Sequence, residues 1–538
     1  KSTTEPTQTA TDAAIWNNIV PALRGMLEEK DLNFDIQSAA ALALAKIGDK
    51  SVVPTLKKMA LNEKGSGYHR VVEESAALAF GLLQDDSQEN VEFLIELVSD
   101  RDRNASYVRP FAAISLGLLG AKNEKFEPVK EALLKVIAGK ETKPDVKPAA
   151  LTALGLLEND AAVADLFYMV NEGKVDASKL AGVNSSEELG DLELAFAVQA
   201  LGRIGSPDVG DQKGAVVNLM QDLLSGKGKK KADTNVRRSA AIALGQIGPA
   251  CDQKTQEAIV RALKTTAEDG GDASERNFAM IALGRMAGAK DGVDAKVRED
   301  VVKSLQKYLD KGKPANLAQP FAALAMGLAG REMSSSARED SIKKPLRAKF
   351  EEARKGDPRA RGAYAIASGL VKDPLAVESL VDVLKDRGAD KRLRGYTAVA
   401  LGMIQDDNSR EAIRAALADD SDRDLRVQTA VAAGLMGDAE VIGELVKILE
   451  SDEGSQYVLG SVALALGQIG DERAIAPLLN ISADTAKKYP DITRALATVA
   501  LGQIGDRRDV PVLARVARDI NFRAIGGVPA LTELLTIL

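Results

Sequence analysis

Cysteine and histidine are almost missing from this chain of 538 residues: there is one of each, Cys251 and His69, with a single tryptophan and only 4% aromatic residues. One cysteine excludes an internal disulfide framework and fits a reducing or an oxidising compartment equally. Zinc sites need several Cys or His ligands, and a histidine-dependent nucleophilic triad would have to run through His69. That residue lies in GSGYHRVVEE, at a loop-to-helix junction, where an exposed or helix-capping role is expected. Basic character is also lacking. A net charge of −7 and a pI near 5.3 argue against nucleic acid or an anionic membrane as a partner, and scarce aromatics remove the stacking platforms that single strands need. No stretch approaches the roughly 20 uninterrupted apolar residues of a membrane helix, because Gly, Lys or Asp interrupts every apolar run. The expectation is a protein with no enzymatic activity, no metal, no cofactor and no membrane span.

What is present is repetition. The phrase AALALAKIG at 40–48 returns as AALAFGLLQ at 76–84, AAISLGLLG at 112–120, AAIALGQIG at 240–248, VALALGQIG at 462–470 and ATVALGQIG at 497–505, in about thirteen copies. Aligned on a central small residue (45, 81, 117, 155, 202, 245, 284, 327, 369, 402, 434, 467, 502), the copies are spaced 32 to 47 residues apart, the period of helical-hairpin solenoids. That residue is Gly in every copy but the first, Ala45. Mid-helix Gly costs about 1 kcal/mol relative to Ala, so a need for close helix approach is expected to hold it there. A second Gly often follows three residues on, at 48, 120, 205, 248, 330, 437, 470 and 505, and is expected to end the helix in a left-handed C-cap. A polar turn and a second apolar-periodic helix follow each copy, as in SVVPTLKKMA (51–60) and AEVIGELVKIL (439–449). Pro54, Pro128 and Pro477 stand early in such helices, where the missing N–H costs least.

The recurring pattern, as in DLRVQTAVAAGLMGDAEVIGELVKIL (424–449), resembles HEAT repeats, and most closely the short HEAT-like class associated with phycobilisome lyases. The resemblance covers nearly all of 13–520 and implies an all-α fold, an α-α solenoid of about 13–14 hairpins. It also implies that the Gly-type helices line the concave side. Four segments are expected: a flexible start at 1–12, repeats of longer period at 13–371, repeats of shorter period at 372–520, and an irregular capping or docking helix at 521–538.

Eight residues before the aligned position an arginine recurs, at Arg109, Arg237, Arg276, Arg361, Arg394, Arg426 and Arg494, with Lys147 in the same slot. Equal phase in stacked hairpins makes these a row, either of acid–arginine pairs that fix helix N-termini and link repeats, or of cations on the concave face for an acidic partner. The insertion NEGKVDASKLAGVNSSEELGD (171–191) reads as either a binding element or a floppy extension. SGKGKKKAD (225–233) reads as a solvated turn, since no Ser or Thr follows the Gly-Lys of a phosphate-binding loop. Near the end, Leu531, Leu534, Leu535 and Leu538 fall at helical spacing and are the candidates for either a cap or a docking helix. The leading function is a protein–protein interaction scaffold with partners on the concave face, or a self-assembling subunit that joins copies through its terminal repeats. The alternative, from the family resemblance alone, is a HEAT-like chromophore lyase or isomerase. The chain opens at Lys1, which fits a removed export signal as well as a start elsewhere, so an exported or envelope location and a cytoplasmic one are both carried.

Overall fold

The computed structural model describes residues 8–29, 31–62, 67–100, 107–120, 125–141, 143–227, 232–311, 318–333, 338–419, 421–450 and 455–512. Among them the chain is helical throughout. Its only β pairings are isolated bridges at Thr9–Asp471, Lys174–Glu188 and Val209–Gln212. Each repeat is a hairpin of a Gly-type helix, such as Thr234–Ile247 around Gly245, and an amphipathic second helix, such as Gln253–Asp269. Asp side chains start many of these helices by accepting the first free N–H groups: Asp233, Asp272, Asp390 and Asp422 do so for Gly-type helices.

The chain forms two compact units, one of residues 1–85 with 368–509 and the other of 86–367 with 510–538. In the second unit the Gly-type helices stack in chain order, from Val108–Leu119 through Val146–Leu156, Asp191–Ile204, Thr234–Ile247 and Ala273–Ala287 to Ala318–Ala329. The first unit stacks Lys391–Ile404, Arg423–Met436, Gln456–Ile469 and Asp491–Gly505 in the same way. The next helix in that row is Phe34–Ile47, followed by Arg70–Leu83. The last Gly-type helix is thus covered by the first, and the period change near 371 is not the only place where the chain changes unit.

One register explains the conserved phase of the glycines. A Cβ placed on Gly117, Gly155, Gly202, Gly245, Gly284, Gly369, Gly402, Gly434 or Gly467 would lie 2.6 to 3.1 Å from the Cα of an alanine in the next helix, respectively Ala153, Ala200, Ala243, Ala282, Ala325, Ala400, Ala432, Ala465 and Ala500. Each alanine stands two residues before its own helix's aligned glycine, so a helix such as Thr234–Ile247 offers a knob, Ala243, to one neighbour and a notch, Gly245, to the other. Gly502 obeys the same rule with Ala43, at 2.8 Å, which puts the first and last repeats in ordinary repeat-to-repeat register.

Of the second glycines, Gly48, Gly120, Gly205, Gly437 and Gly470 are left-handed C-caps. Three differ from that expectation. Gly248 is right-handed and abuts Met286, Gly505 remains helical and abuts Ile47, and Gly330 opens a 3-10 turn. For Gly248 and Gly505, packing room and not backbone freedom is the use.

Within the segment 1–12, where flexibility is expected, residues 8–12 are held by hydrogen bonds. Gln8 donates its N–H to Asp471, Glu472 donates to the Gln8 carbonyl, Ala10 donates to Gly470, and Thr11 caps Asp12–Ala14. Residues 1–7 and the candidate docking leucines Leu531, Leu534, Leu535 and Leu538 lie outside the described residues, as do 228–231 of the lysine-rich turn.

Candidate functional site

The arginine row has a definite structural geometry. Arg109 Nε donates to the Val98 carbonyl (2.8 Å), Arg361 Nε to Phe350 (3.1 Å), Arg394 Nε to Leu384 (3.0 Å), Arg426 Nε to Leu417 (3.0 Å) and Arg494 Nη2 to Ser482 (3.3 Å). Every acceptor lies in the last turn of the preceding second helix. Arg276 Nη1 reaches Gly270, one residue past its helix, and Arg237 Nη1 reaches Ala232 in a loop. A helix C-terminus leaves carbonyls without partners and carries partial negative charge, so a guanidinium placed there satisfies both. Arg109, Arg361, Arg394 and Arg494 are buried, as is Lys147, while Arg237, Arg276 and Arg426 are half-buried.

Acid partners also occur. Arg109 forms a two-pronged pair with Glu141 at 2.7 and 2.8 Å, Arg237 donates to Glu275 at 2.6 Å, and Arg494 meets Asp491 at 3.1 Å. The sequence reading missed two members of the row. Gln37 donates to the carbonyls of Leu27 and Glu29, and Gln319 to that of Leu309, from the same position eight residues before Ala45 and Gly327. Searching by register instead of by charge would have found them.

A second recurring constellation sits at the turn inside the hairpin. Arg24 grips Asp49 with two hydrogen bonds, 2.6 and 2.8 Å, and Arg414 grips Asp438 in the same way, 2.8 and 2.7 Å. Burial works to raise both carboxyls, yet the guanidinia, with Ser51 at Asp49 and Arg410 at Asp438, more than offset it and hold both below their ordinary value.

The two residues most able to do chemistry are committed elsewhere. His69 caps helix Arg70–Leu83 by accepting the Val71 N–H on Nδ1, and its ring stacks on Phe34 at 4.0 Å. Cys251 is half-buried; burial, with Asp252 and Asp208 nearby, pushes its thiol up to about 11. Among the described residues no three His, Cys, Asp or Glu side chains gather in a way that could hold a metal ion, and no helix is long and apolar enough to cross a membrane.

The 171–191 insertion is compact, not a floppy extension. Leu189 N–H donates to the Gly173 carbonyl, Val175 N–H to Ser186 Oγ and Glu187 N–H to the Ala138 carbonyl, while Val175, Leu180 and Leu189 are buried.

The feature that remains available to a partner is a ridge on the Gly-type helices of the first unit. Three residues before the aligned position stand Val399, Val431, Leu464, Val499, Leu42 and Leu78, all aliphatic and all half-exposed, in consecutive helices of the stack. Tyr457 and Ile492, 73% and 42% exposed, extend its apolar surface over two neighbouring helices. The same position in the second unit holds the half-exposed Ile114, the polar Thr152 and Gln199, and the buried Ile242, Ile281, Leu324 and Ile366.

The comparisons with known proteins agree with the repeats. The model for HEAT repeats matches residues 410–490, and that for the PBS lyase HEAT-like repeat matches 36–62 and 236–265. The bilin biosynthesis protein PecE of Nostoc sp. is 38% identical over 76 residues, which is 14% of this chain and 30% of that protein. Among solved structures, Kap121p aligns over 90% of this chain and 53% of its own, with 14% identity and a TM-score of 0.40. An engineered protein aligns over 90% of this chain and 99% of its own, with 20% identity and a TM-score of 0.26. The chain therefore spans under a third of its curated relative and about half of Kap121p. It carries HEAT-like repeats and has an all-α solenoid fold.

Proposed function

We propose that this protein is a non-enzymatic scaffold that holds a protein partner along the aliphatic ridge of its first unit. The observation that carries the reading is the ridge itself: six aliphatic side chains at one register in six successive helices, all half-exposed, whereas the second unit has a single such residue, Ile114, among polar or buried ones. At 8–10 Å per packed helix the ridge runs roughly 50 Å, too long and shallow for a small molecule and suited to an extended or helical segment with an apolar face. The arginine row does not supply a rival surface, because its guanidinia are turned to helix-end carbonyls. A partner held by the arginines as an acidic strip, and copies joined through terminal repeats, have less support. The flank of helix Asp491–Gly505 that a second copy would use is covered by Phe34–Ile47.

Affinity capture from the native source, with wild type and a Val431→Glu/Leu464→Glu chain side by side, tests this reading. A partner recovered by the first and lost by the second is the expected result; equal recovery by both would place binding elsewhere. The second reading, a bilin lyase or isomerase, is favoured by the PecE similarity. Its test is coexpression with a bilin and an acceptor protein, in which a coloured adduct formed only with this chain would replace the scaffold reading.

A further inference from the structure

We infer that the junction between the first and last repeats is a separable clasp, which opens while the hairpins on either side stay folded and so makes or breaks the continuity of the ridge. Its bearing on partner binding rests on the scaffold reading above; the clasp itself does not. Along the first unit the ridge passes from Val499 to Leu42 across the one junction whose two sides are remote in sequence. The hydrogen bonds that cross it join residues 425 to 497 positions apart, whereas the helices of the other junctions follow one another within one repeat period. No short connecting segment holds these two sides together, so the junction depends on side-chain and backbone contacts alone.

Three devices supply those contacts. Ala43 and Ile47 seat against Gly502 and Gly505, which is the ordinary repeat interface. Beyond the end of the last helix, Arg508 sends its guanidinium across the ends of two helices. Nε donates to the Lys46 carbonyl (2.8 Å), Nη2 to Ala45 (2.6 Å) and Leu82 (3.0 Å), and Nη1 to Leu83 (2.9 Å). Its stem lies against Gly48, where a Cβ would come within 3.0 Å of Cδ. From the other side, residues 8–11 pair with the Gly470–Glu472 turn, and Arg507 Nη2 donates to the Ala10 carbonyl at 3.0 Å. Asn33 Nδ2 and Asp491 close the rim at 2.9 Å.

Arg508 joins what other repeats leave to chain connection: one side chain just past helix Asp491–Gly505 caps both Phe34–Ile47 and Arg70–Leu83. Repeat junctions contribute separately to stability, so a junction held this way opens locally without the rest. With the clasp open, Val399 to Val499 and Leu42 to Leu78 are two short ridges; closed, they are one. A partner that spans Val499 and Leu42 favours closure by the factor by which closure favours the partner.

Hydrogen exchange read by mass spectrometry on the full chain tests the clasp without any partner, so its failure leaves the scaffold reading untouched. In Arg508→Ala, exchange is expected to rise at least tenfold in residues 8–14, Phe34–Ile47 and Asp491–Gly505, and to stay at wild-type rates in Asp191–Ile204 and Thr234–Ile247. No change, or an equal rise everywhere, would overturn the proposal. Should that variant fold poorly, Asn33→Cys/Asp491→Cys in a Cys251→Ser chain, joined by a short bismaleimide, provides the converse measurement. Cross-linking should slow exchange in the same three segments alone, and identical rates before and after cross-linking would refute a clasp that opens.

Discussion

Replacing three glycines by alanine, one at a time, separates what helix propensity gains from what packing loses. Alanine is favoured over glycine inside a helix by about 1 kcal/mol. At Gly25, within Val20–Glu28, a Cβ meets nothing within 4 Å, so Gly25→Ala should stabilise its helix by somewhat under ~1 kcal/mol. At Gly284 the same Cβ would lie 2.6 Å from the Ala325 Cα, against backbone that cannot swing aside. Helices Ala273–Ala287 and Ala318–Ala329 would have to separate by about 1 Å, and overpacking on that scale costs roughly 1–3 kcal/mol, which against the gain of about 1 kcal/mol leaves a net loss of up to about 2 kcal/mol. Gly369 is intermediate: its nearest neighbours are the Ala400 Cα at 3.1 Å and the carbonyl oxygen at 3.2 Å, so gain and loss should nearly cancel. A chain of two units need not unfold in one step, so the proper assay is amide exchange within each affected helix pair, not a single melting temperature. The expected order of local stability change is Gly25→Ala above Gly369→Ala above Gly284→Ala. If Gly284→Ala were as stable as Gly25→Ala, the glycines would not be packing notches and their shared phase would need another cause.

Arg394→Ala should destabilise the hairpin of Val377–Lys385 and Lys391–Ile404 by roughly 1–3 kcal/mol, because it strips the buried Leu384 carbonyl of its donor; exchange of those helices checks it, and wild-type rates would remove the capping role. Cys251 should alkylate slowly with iodoacetamide at pH 8, about a hundredfold below a free thiol, because a thiol pushed up to about 11 is almost wholly protonated there; rapid labelling of the folded chain would contradict its burial. Acid should release the start of the chain. Burial works to raise the Asp471 carboxyl, but Arg473 and the Gln8 N–H hold it below its ordinary value. A carboxyl lowered by folding adds stability that is present above about pH 3.9 and is lost as pH falls through the folded value. Protease access to residues 8–12 should therefore be flat from pH 7 to 5 and rise below about 4; a rise near pH 6 would point to another group.

Much of the architecture was legible because it is periodic. The repeated phrase located every Gly-type helix, and the polar turns located their partners, since one hairpin's pattern is written about thirteen times. The role of the arginines was legible in phase but not in direction. Register places Arg394 beside its equivalents in other repeats, yet whether a guanidinium turns outward to a partner or back to the Leu384 carbonyl depends on where the preceding helix ends in space. Charge was a poor guide to that row: Gln37 and Gln319 perform the same capping with no charge at all. The ridge was hidden for a related reason. Val399 and Ile242 share one register and similar chemistry, and only the packing of each helix decides that the first is half-exposed and the second buried.

The meeting of the two ends, by contrast, left a trace in the sequence that reading each repeat alone passes over. In the stack an alanine two residues before the aligned position fills the notch of the preceding helix, and Ala43 and Gly502 carry that pair at matching phase in repeats remote in sequence. A notch left unfilled would forgo about 1 kcal/mol of helix propensity and gain nothing, so a glycine at 502 is expected to receive a knob, and Ala43 is of the right size and phase. The structure places Ala43 Cβ and Cα 2.6 and 2.8 Å from where a Gly502 Cβ would stand, within the range of the neighbouring pairs in the stack. Ala45 belongs to the helix whose C-terminal carbonyls, with those of Arg70–Leu83, are bound by Arg508. A Gly502→Ala chain should accordingly show a defect confined to the contact of Asp491–Gly505 with Phe34–Ile47. Exchange in those two helices should rise while that in Lys391–Ile404 keeps its wild-type rate, and a defect spread evenly over the first unit would show that the two ends do not meet through this notch.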